Sequence, residues 1–362
     1  MPQTSSQSFR EPGEAIIRVD EEEISQLYPS ISEVRVEMSR GAAAICTLTF
    51  DTIRTENGVW TVQDSGLLAP WKKICIEAAF ASYTEEIMRG YIREIQVDCP
   101  QNMGAAQVVV TGQDESILLD RDHIRQVMST EENPVTDGDL LTEIARDNGL
   151  ETRIESGLEN QALNLDGTFI RLLADRAEAN GFEWFVRQGT LHFHPPDLES
   201  EPQETIRVYA GPQTNCLRFS LQHEGHLPDQ VSITRAADTG TGVEEERLSP
   251  NLALLGATAT NSEDAGLTPF VWRMEQALGS TREEARARAQ AKANENAWKI
   301  KATGELDGAL YGHVLLNHAT VAVDGVGETY DGIYYVDEVK HLFTATGYRQ
   351  EFVLLRNATG DH

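Results

Sequence analysis

The sequence predicts an α+β chain that is mainly β, and three observations predict it. From Ala15 to Leu119, β-branched and alternating runs recur at about ten-residue spacing between turn-forming clusters. Between Asp137 and Pro196 the apolar period becomes helical. Beyond Pro196 alternation resumes and continues to Leu355, broken by one strong helical pattern.

The first region reads as six strands: AIIRVD, SEVRVEMS, AAICTLTF, WKKICIEAAF, EEIMRGYIREIQVDC and AQVVVTGQ. Clusters such as ENG at Glu56 to Gly58 and CPQNMG at Cys99 to Gly104 punctuate them, which suits an antiparallel barrel or sandwich. The central region contains an internal repeat. LLTEIARDNGLETRI, from Leu140, aligns with LLADRAEANGFEWFV, from Leu172, at an offset of 32 residues. Each copy opens a helix on a leucine pair, ends it at Asn148-Gly149 or Asn180-Gly181, and starts a strand at Leu150 or Phe182. Glycine at a helix stop carries no Cβ penalty at positive φ. Thr168 is placed to cap the second helix, whose Ile170, Leu173, Ala174 and Ala177 share a face. Phe182, Trp184 and Val186 then alternate with Glu183, Phe185 and Arg187, and Gly189 turns the chain into TLHFHPP. Two copies are too few for a solenoid, so the region reads as one compact α+β unit.

After the Pro/Glu-rich stretch PPDLESEPQE come TIRVYAG, NCLRFSLQ and QVSITRA as strands. The polar, Gly-rich stretch from Ala237 to Leu267 reads as an exposed excursion. Thr281 and Glu284 form a capping box, and Ala285, Ala289, Ala293 and Ala297 make a small-residue stripe expected to pack on the final strands. From Thr281 to Lys301 there are six bases and three acids, which suits either a solvated face with internal pairs such as Glu284 with Arg288, or an interface in which Arg288 and Lys292 meet an acidic neighbour. GHVLLN, HATVAVDG, GIYYVDEVKHLF and YRQEFVLLR close the chain as strands.

Composition excludes several function classes. Of 362 residues 40 % are apolar, enough for globular cores, whereas 30 Lys plus Arg against 58 Asp plus Glu give a net charge of −28. Such a surface repels phosphate backbones, so nucleic-acid readout is not expected. No apolar run approaches the ~20 residues of a membrane span. MPQTSSQSFREPGE has no signal-peptide core and reads as a frayed arm on a chain made in the cytoplasm. Cys46, Cys75, Cys99 and Cys216 lack paired spacing and read as buried free thiols.

Catalytic motifs are weak. HEGH, from His223 to His226, has histidines three apart where the zinc-protease pattern needs four on a helix. His192 and His194 share a strand face, but no matching cluster accompanies them. GVGETYDG at Gly325 lacks the spacing and context of a dinucleotide loop and reads as a hairpin turn. No catalytic residue, cofactor or metal site is expected.

Two segments carry a family resemblance. DGTFIRLLADRAEANGFEWFVRQGTLHFHPP, with Asn180, Gly181, Phe182, Trp184 and Phe193, resembles the signature of phage late-control gene D proteins and of VgrG- and Pvc-type spike hubs. YYVDEVKHLFTATGYRQEFVLLRNA, with Gly347 and Tyr348, resembles the family's final barrel strands. The resemblance implies two antiparallel β-barrel, tube-like domains with a central α+β insert, and places no catalytic residue. It divides the chain into an arm (1–13), a first barrel (14–125), the insert (126–200) and a second β-rich barrel with one long helix (201–362). It further implies a homotrimeric baseplate hub of a contractile tail or injection system, located in a virion or baseplate. That hub would join a hexameric inner tube protein to a spike and other baseplate proteins. Because the sequence stops soon after Leu355, the expected spike is a separate protein. The rival readings are a tail-borne cell-wall hydrolase and a receptor- or carbohydrate-binding β protein.

Overall fold

The computed structural model describes residues 13–101, 106–236, 243–262, 266–274 and 281–360. The expected N-terminal arm, apart from Gly13, lies outside them.

The first region folds into β1 (Glu14–Val19), β2 (Glu22–Glu23), β3 (Ile31–Ser39), β4 (Ile45–Asp51), β5 (Lys73–Phe80), β6 (Tyr83–Asp98) and β7 (Gln107–Asp114). All six anticipated strands are present and pair antiparallel. Alternation explains their placement: in β4, Cys46, Leu48 and Phe50 point into the core while Ile45, Thr47 and Thr49 are only half-buried.

The insert comprises β8 (Ile124–Ser129), β9 (Val135–Thr136), α1 (Asp137–Asp147), β10 (Glu151–Ile154), β11 (Glu159–Asn160), β12 (Leu163–Gly167), α2 (Phe169–Asn180), β13 (Glu183–Arg187) and β14 (Thr190–His194). The repeat is real in element order, yet its two strands, β10 and β13, flank the same β14. One runs parallel to it and the other antiparallel. Thr168 sits at the N-cap of α2 but its hydroxyl makes no capping bond; its carbonyl accepts from Leu172 N instead. Leu141, Ile144, Leu173, Ala177, Trp184 and Phe193 form a separate core within the insert.

The last region holds β15 (Gln203–Arg207), β16 (Cys216–His223), β17 (Gln230–Ala236), β18 (Val243–Leu248), β19 (Thr258–Ala259), β20 (Val271–Met274), α3 (Arg282–Asn296), β21 (Ile300–Asp307), α4 (Gly308–Tyr311), β22 (Thr320–Asp324), β23 (Gly332–Thr344), β24 (Gly347–Arg356) and β25 (Ala358–Thr359). GHVLLN is not a strand. Gly312 closes α4 in the left-handed region, and Val314, Leu315 and Leu316 donate backbone N–H groups to Glu85, Gln350 and Gln203 side chains, so no ladder forms. The excursion after Ala237 is not wholly irregular either, because β18 pairs with β17 and buries Leu248.

Strands from both ends of the chain join in one 13-stranded sheet, ordered β16-β21-β24-β23-β3-β4-β7-β6-β5-β1-β2, with β22 and β15 branching from β23. The seam is β3 against the last seven residues of β23, from Glu338↔Ser39 to Thr344↔Glu33. One core fills both halves, with Val36, Leu48 and Ile76 in the same cluster as Ala302, Val339 and Leu354. Among the described residues no pairing closes a ring, so the sheet is an open path and not two closed barrels. Nor is it wholly antiparallel, since β15 lies parallel to β22.

The four cysteines are free, but only Cys46 and Cys216 are buried; Cys75 is half-buried and Cys99 exposed. Cys75 lies on the outer, alternating side of β5, where its thiol approaches Glu86. Among the described residues no helix is long and apolar enough to cross a membrane.

Candidate interaction surface

Of the signature residues of the insert, Asn180, Gly181 and Phe182 lie beside α3. Gly181 ends α2 at φ +68, as its sequence position requires. Asn180 beside it is a tie: its Nδ2 donates to Asp137 Oδ2 at 2.6 Å and its Oδ1 accepts from Leu158 N at 2.8 Å. Asp137 is fully buried at the start of α1 and also accepts from Arg176 Nε (2.7 Å), Arg176 Nη2 (3.1 Å) and Asn160 Nδ2 (2.7 Å). Buried charge is tolerated when paired and fully hydrogen-bonded, and this carboxylate is both. Arg176 reaches onward to Glu284 of α3 at 3.4 Å.

Trp184 and Phe193 are cross-strand partners buried in the insert core, and Phe182 packs edge-on to Phe193 at 5.1 Å. The opposite face of β13 is buried too, with Glu183 and Phe185 4 % and 8 % exposed. Alternation within the hairpin could not reveal this, because the covering residues, Tyr335 and His318, come from the far end of the chain.

At the C-terminal signature, Gly347 turns β23 into β24 at φ +112, and Tyr348 stacks on Phe343 across the strand pair at 4.1 Å. Tyr348 Oη lies 2.8 Å from His341 Nδ1. Burial holds the Tyr348 hydroxyl well above its ordinary pKa and pushes His341 down to about 3, so both are neutral. These residues brace the sheet.

The alanine stripe of α3 is buried, but not on the final strands. Ala289 and Ala293 pack with Val231, Ile233 and Leu248 of the small sheet β18-β17-β20. Of that sheet the sequence pattern marks only β17, as QVSITRA, and not its partners β18 and β20. The helix also carries less charge than expected. Lys299 lies beyond its end, 4 % exposed, and pairs with Asp229. Arg288 does not face outward freely; its guanidinium donates to Glu284 Oε1 at 3.0 Å and lies 3.9 Å from Glu178. Lys292 is exposed. Arg40, from the β3–β4 turn, grips α3 through Glu295 at 3.0 Å and β23 through Asp337 at 2.7 Å.

Between α3, the end of α2 and the end of β14 runs a groove of about 660 Å³, bordered by Arg153, Phe182, Asn251 and Gln290. Its mixed polar and apolar lining suits a protein contact better than bond chemistry. The HEGH residues do not converge: His223 meets Tyr330 edge-on, His226 stacks on Phe270, and Glu224 accepts from His226 N. GVGETYDG is the β22–β23 turn, held by Val326 N donating to Asp331. His192 and His194 lie 5.7 Å apart with Phe185 against both rings.

A family model described as the Alg8 N-terminal domain matches residues 12–345. The chain belongs to the Alg8 N-terminal domain family. No curated protein gives a significant sequence match. Among solved structures it is similar to the prophage MuSo2 43 kDa tail protein from Shewanella oneidensis, with 14 % identity over 96 % of this chain and 99 % of that one, at a TM-score of 0.66. A tail protein from Neisseria meningitidis MC58 matches with 12 % identity, 95 % and 96 % coverage, and a TM-score of 0.61. The E. coli c3393 protein is described as a type VI secretion component structurally similar to the T4 tail proteins gp27 and gp5. It matches with 10 % identity, 94 % and 76 % coverage, and a TM-score of 0.52. Over nearly its whole length, therefore, the chain has the fold of phage tail and baseplate-hub proteins, in keeping with the resemblance read from its two signature segments.

Proposed function

We propose that this chain is a structural hub of a contractile tail or injection system, assembling as a homotrimer between a hexameric inner tube and a trimeric spike. The observation that supports this reading is the single large sheet shared by β1–β7 and by β15, β16 and β21–β24, with β8–β14 set apart in sheets of their own. Two strand-rich halves per chain and three chains per ring would present six positions to a tube and three to a spike. An open sheet with edges at β2 and β16 also favours closure by neighbouring copies, since unpaired edges invite strand pairing. The role is one of symmetry and contact, exercised in the virion or particle baseplate beside other baseplate proteins. Light scattering of the chain co-expressed with its spike is expected to show three copies, and imaging of purified particles is expected to place it on the tail axis. A stable monomer bound to spike would overturn the reading.

A further inference from the structure

Phe185 sits between two imidazoles. His192 of β14 stacks on one face at 4.3 Å and 10°, and His318, from the loop before β22, stacks against it at 4.2 Å and 15°. His194 meets Phe185 edge-on at 6.0 Å, and the Arg187 guanidinium lies 4.9 Å from the same ring centroid. His318 is held at φ +55, a conformation that L residues rarely adopt without surrounding support. Through this stack the insert hairpin rests on the C-terminal half.

We propose that the stack is an acid-operated joint, which fixes the insert to the C-terminal half while its imidazoles are neutral and frees it when they gain protons. The polar inventory supports this. His192 Nδ1, His194 Nε2 and His318 Nε2 are buried and hydrogen-bond to no described residue. The carboxylate that serves the stack directly is Glu183, which accepts from His318 Nδ1 at 2.8 Å and from the Tyr335 hydroxyl. Positive charge already surrounds it: Arg187 on β13, Arg153 opposite His192 on β10, and Arg40, 3.9 Å from Glu183. Arg40 is itself engaged by Asp337 and Glu295, and Arg153 by Asp197. Glu86, Arg89 and Asp114 line the cleft on the far side of Phe185 and His318. Each proton taken up therefore adds charge where one carboxylate must answer for several cations.

Burial, followed by the charges of His194, Arg187 and Arg153, pushes His192 down to about 4, and burial lowers His318. For bases depressed in the folded state, the contribution to stability is present above the unfolded value, about 6.5, and is lost as pH falls toward the folded one. Asp114, raised to about 6 by burial, loses its negative charge over the same window.

Hydrogen exchange on the full chain, resolved by segment and corrected for intrinsic rates between about pH 7.5 and about pH 4.5, tests the joint. Protection at 183–194 and 312–319 is expected to fall about tenfold or more beyond any fall in β3, β4 and β24. The His192→Gln/His318→Gln variant is expected to keep that protection at the acid end. Protection independent of pH, a loss no greater at the joint than across the sheet, or opening of the variant at the wild-type pH would each overturn the proposal. Should the variant not fold, NMR titration of His192 in the unaltered chain decides: a midpoint near its ordinary value overturns the joint, and a depressed one supports it.

Discussion

Gly181 and Ala291 touch where α2 meets α3: a Cβ placed on Gly181 would lie 2.8 Å from the Ala291 Cβ. Gly149, its counterpart in the repeat, holds a similar φ of +76 with nothing within 4 Å. Gly149→Ala is therefore expected to cost about 1 kcal/mol, from backbone conformation alone. Gly181→Ala is expected to cost more, and adding Ala291→Gly to cost less than the sum of the two single changes, because it removes the Cβ contact while the Ala291 Cα stays at 3.1 Å. Thermal or urea unfolding of the four chains measures it; equal costs at both glycines would show that the close approach is not limiting.

The Asp137–Arg176 pair is buried at both ends, with side chains 0 % and 6 % exposed. Arg176→Met leaves a carboxylate without its countercharge and is expected to destabilise the insert by about 3–5 kcal/mol. Replacing Asp137 with Leu at the same time is expected to cost less than the sum, because neither charge is then stranded. Hydrogen exchange in denaturant, followed over residues 137–180, reads the insert directly.

Acid stability of the sheet is expected to depend on His341. With this imidazole pushed down to about 3 by burial, its neutral form is the folded one. Its contribution is present above about pH 6.5 and declines by roughly 1 kcal/mol per pH unit below that, down to the folded value. His341→Gln is expected to flatten the stability profile between pH 6 and 4, whatever it does at neutral pH. An unchanged slope in urea unfolding would refute this.

Lys292 is the clean probe of α3 as an interface, because Arg288 is engaged within the chain. Lys292→Glu is expected to alter monomer stability by less than about 0.5 kcal/mol. At low salt it is expected to reduce incorporation into particles, with recovery at high salt. Normal incorporation at low salt would remove this helix from the interface.

Local patterning made most strands and both helix–strand copies legible, because alternation, capping and left-handed stops are properties of a few neighbouring residues. Thr281 caps α3 through Glu284 N, and Gly181 stops α2, as read. What stayed hidden depends on distant partners. The stripe Ala289 and Ala293 showed that α3 packs closely, but not that Ile233 and Leu248 receive it. The second buried face of β13 likewise depends on tertiary neighbours, whereas the pairing of Arg288 with Glu284, four residues apart on α3, is a local contact that the sequence allows. Asp137 and Arg176, which organise the signature Asn180, carry no spacing signal, since they lie on different helices.

The seam between β3 and β23 also orders events during synthesis. Strands β4 to β7 find partners within a short stretch of nascent chain, whereas β3, paired to β4 along one edge, waits at its other edge for residues about 300 positions later. At roughly 5–20 residues per second, a ribosome needs about 15–60 s to deliver them. Through that interval Val34, Val36 and Met38 stand on an unpaired border of a half-built core, the kind of edge that draws other chains. Yield in the cell is thus tied to elongation speed and chaperone cover, and a chain interrupted before Gly332 keeps that border open for as long as it survives.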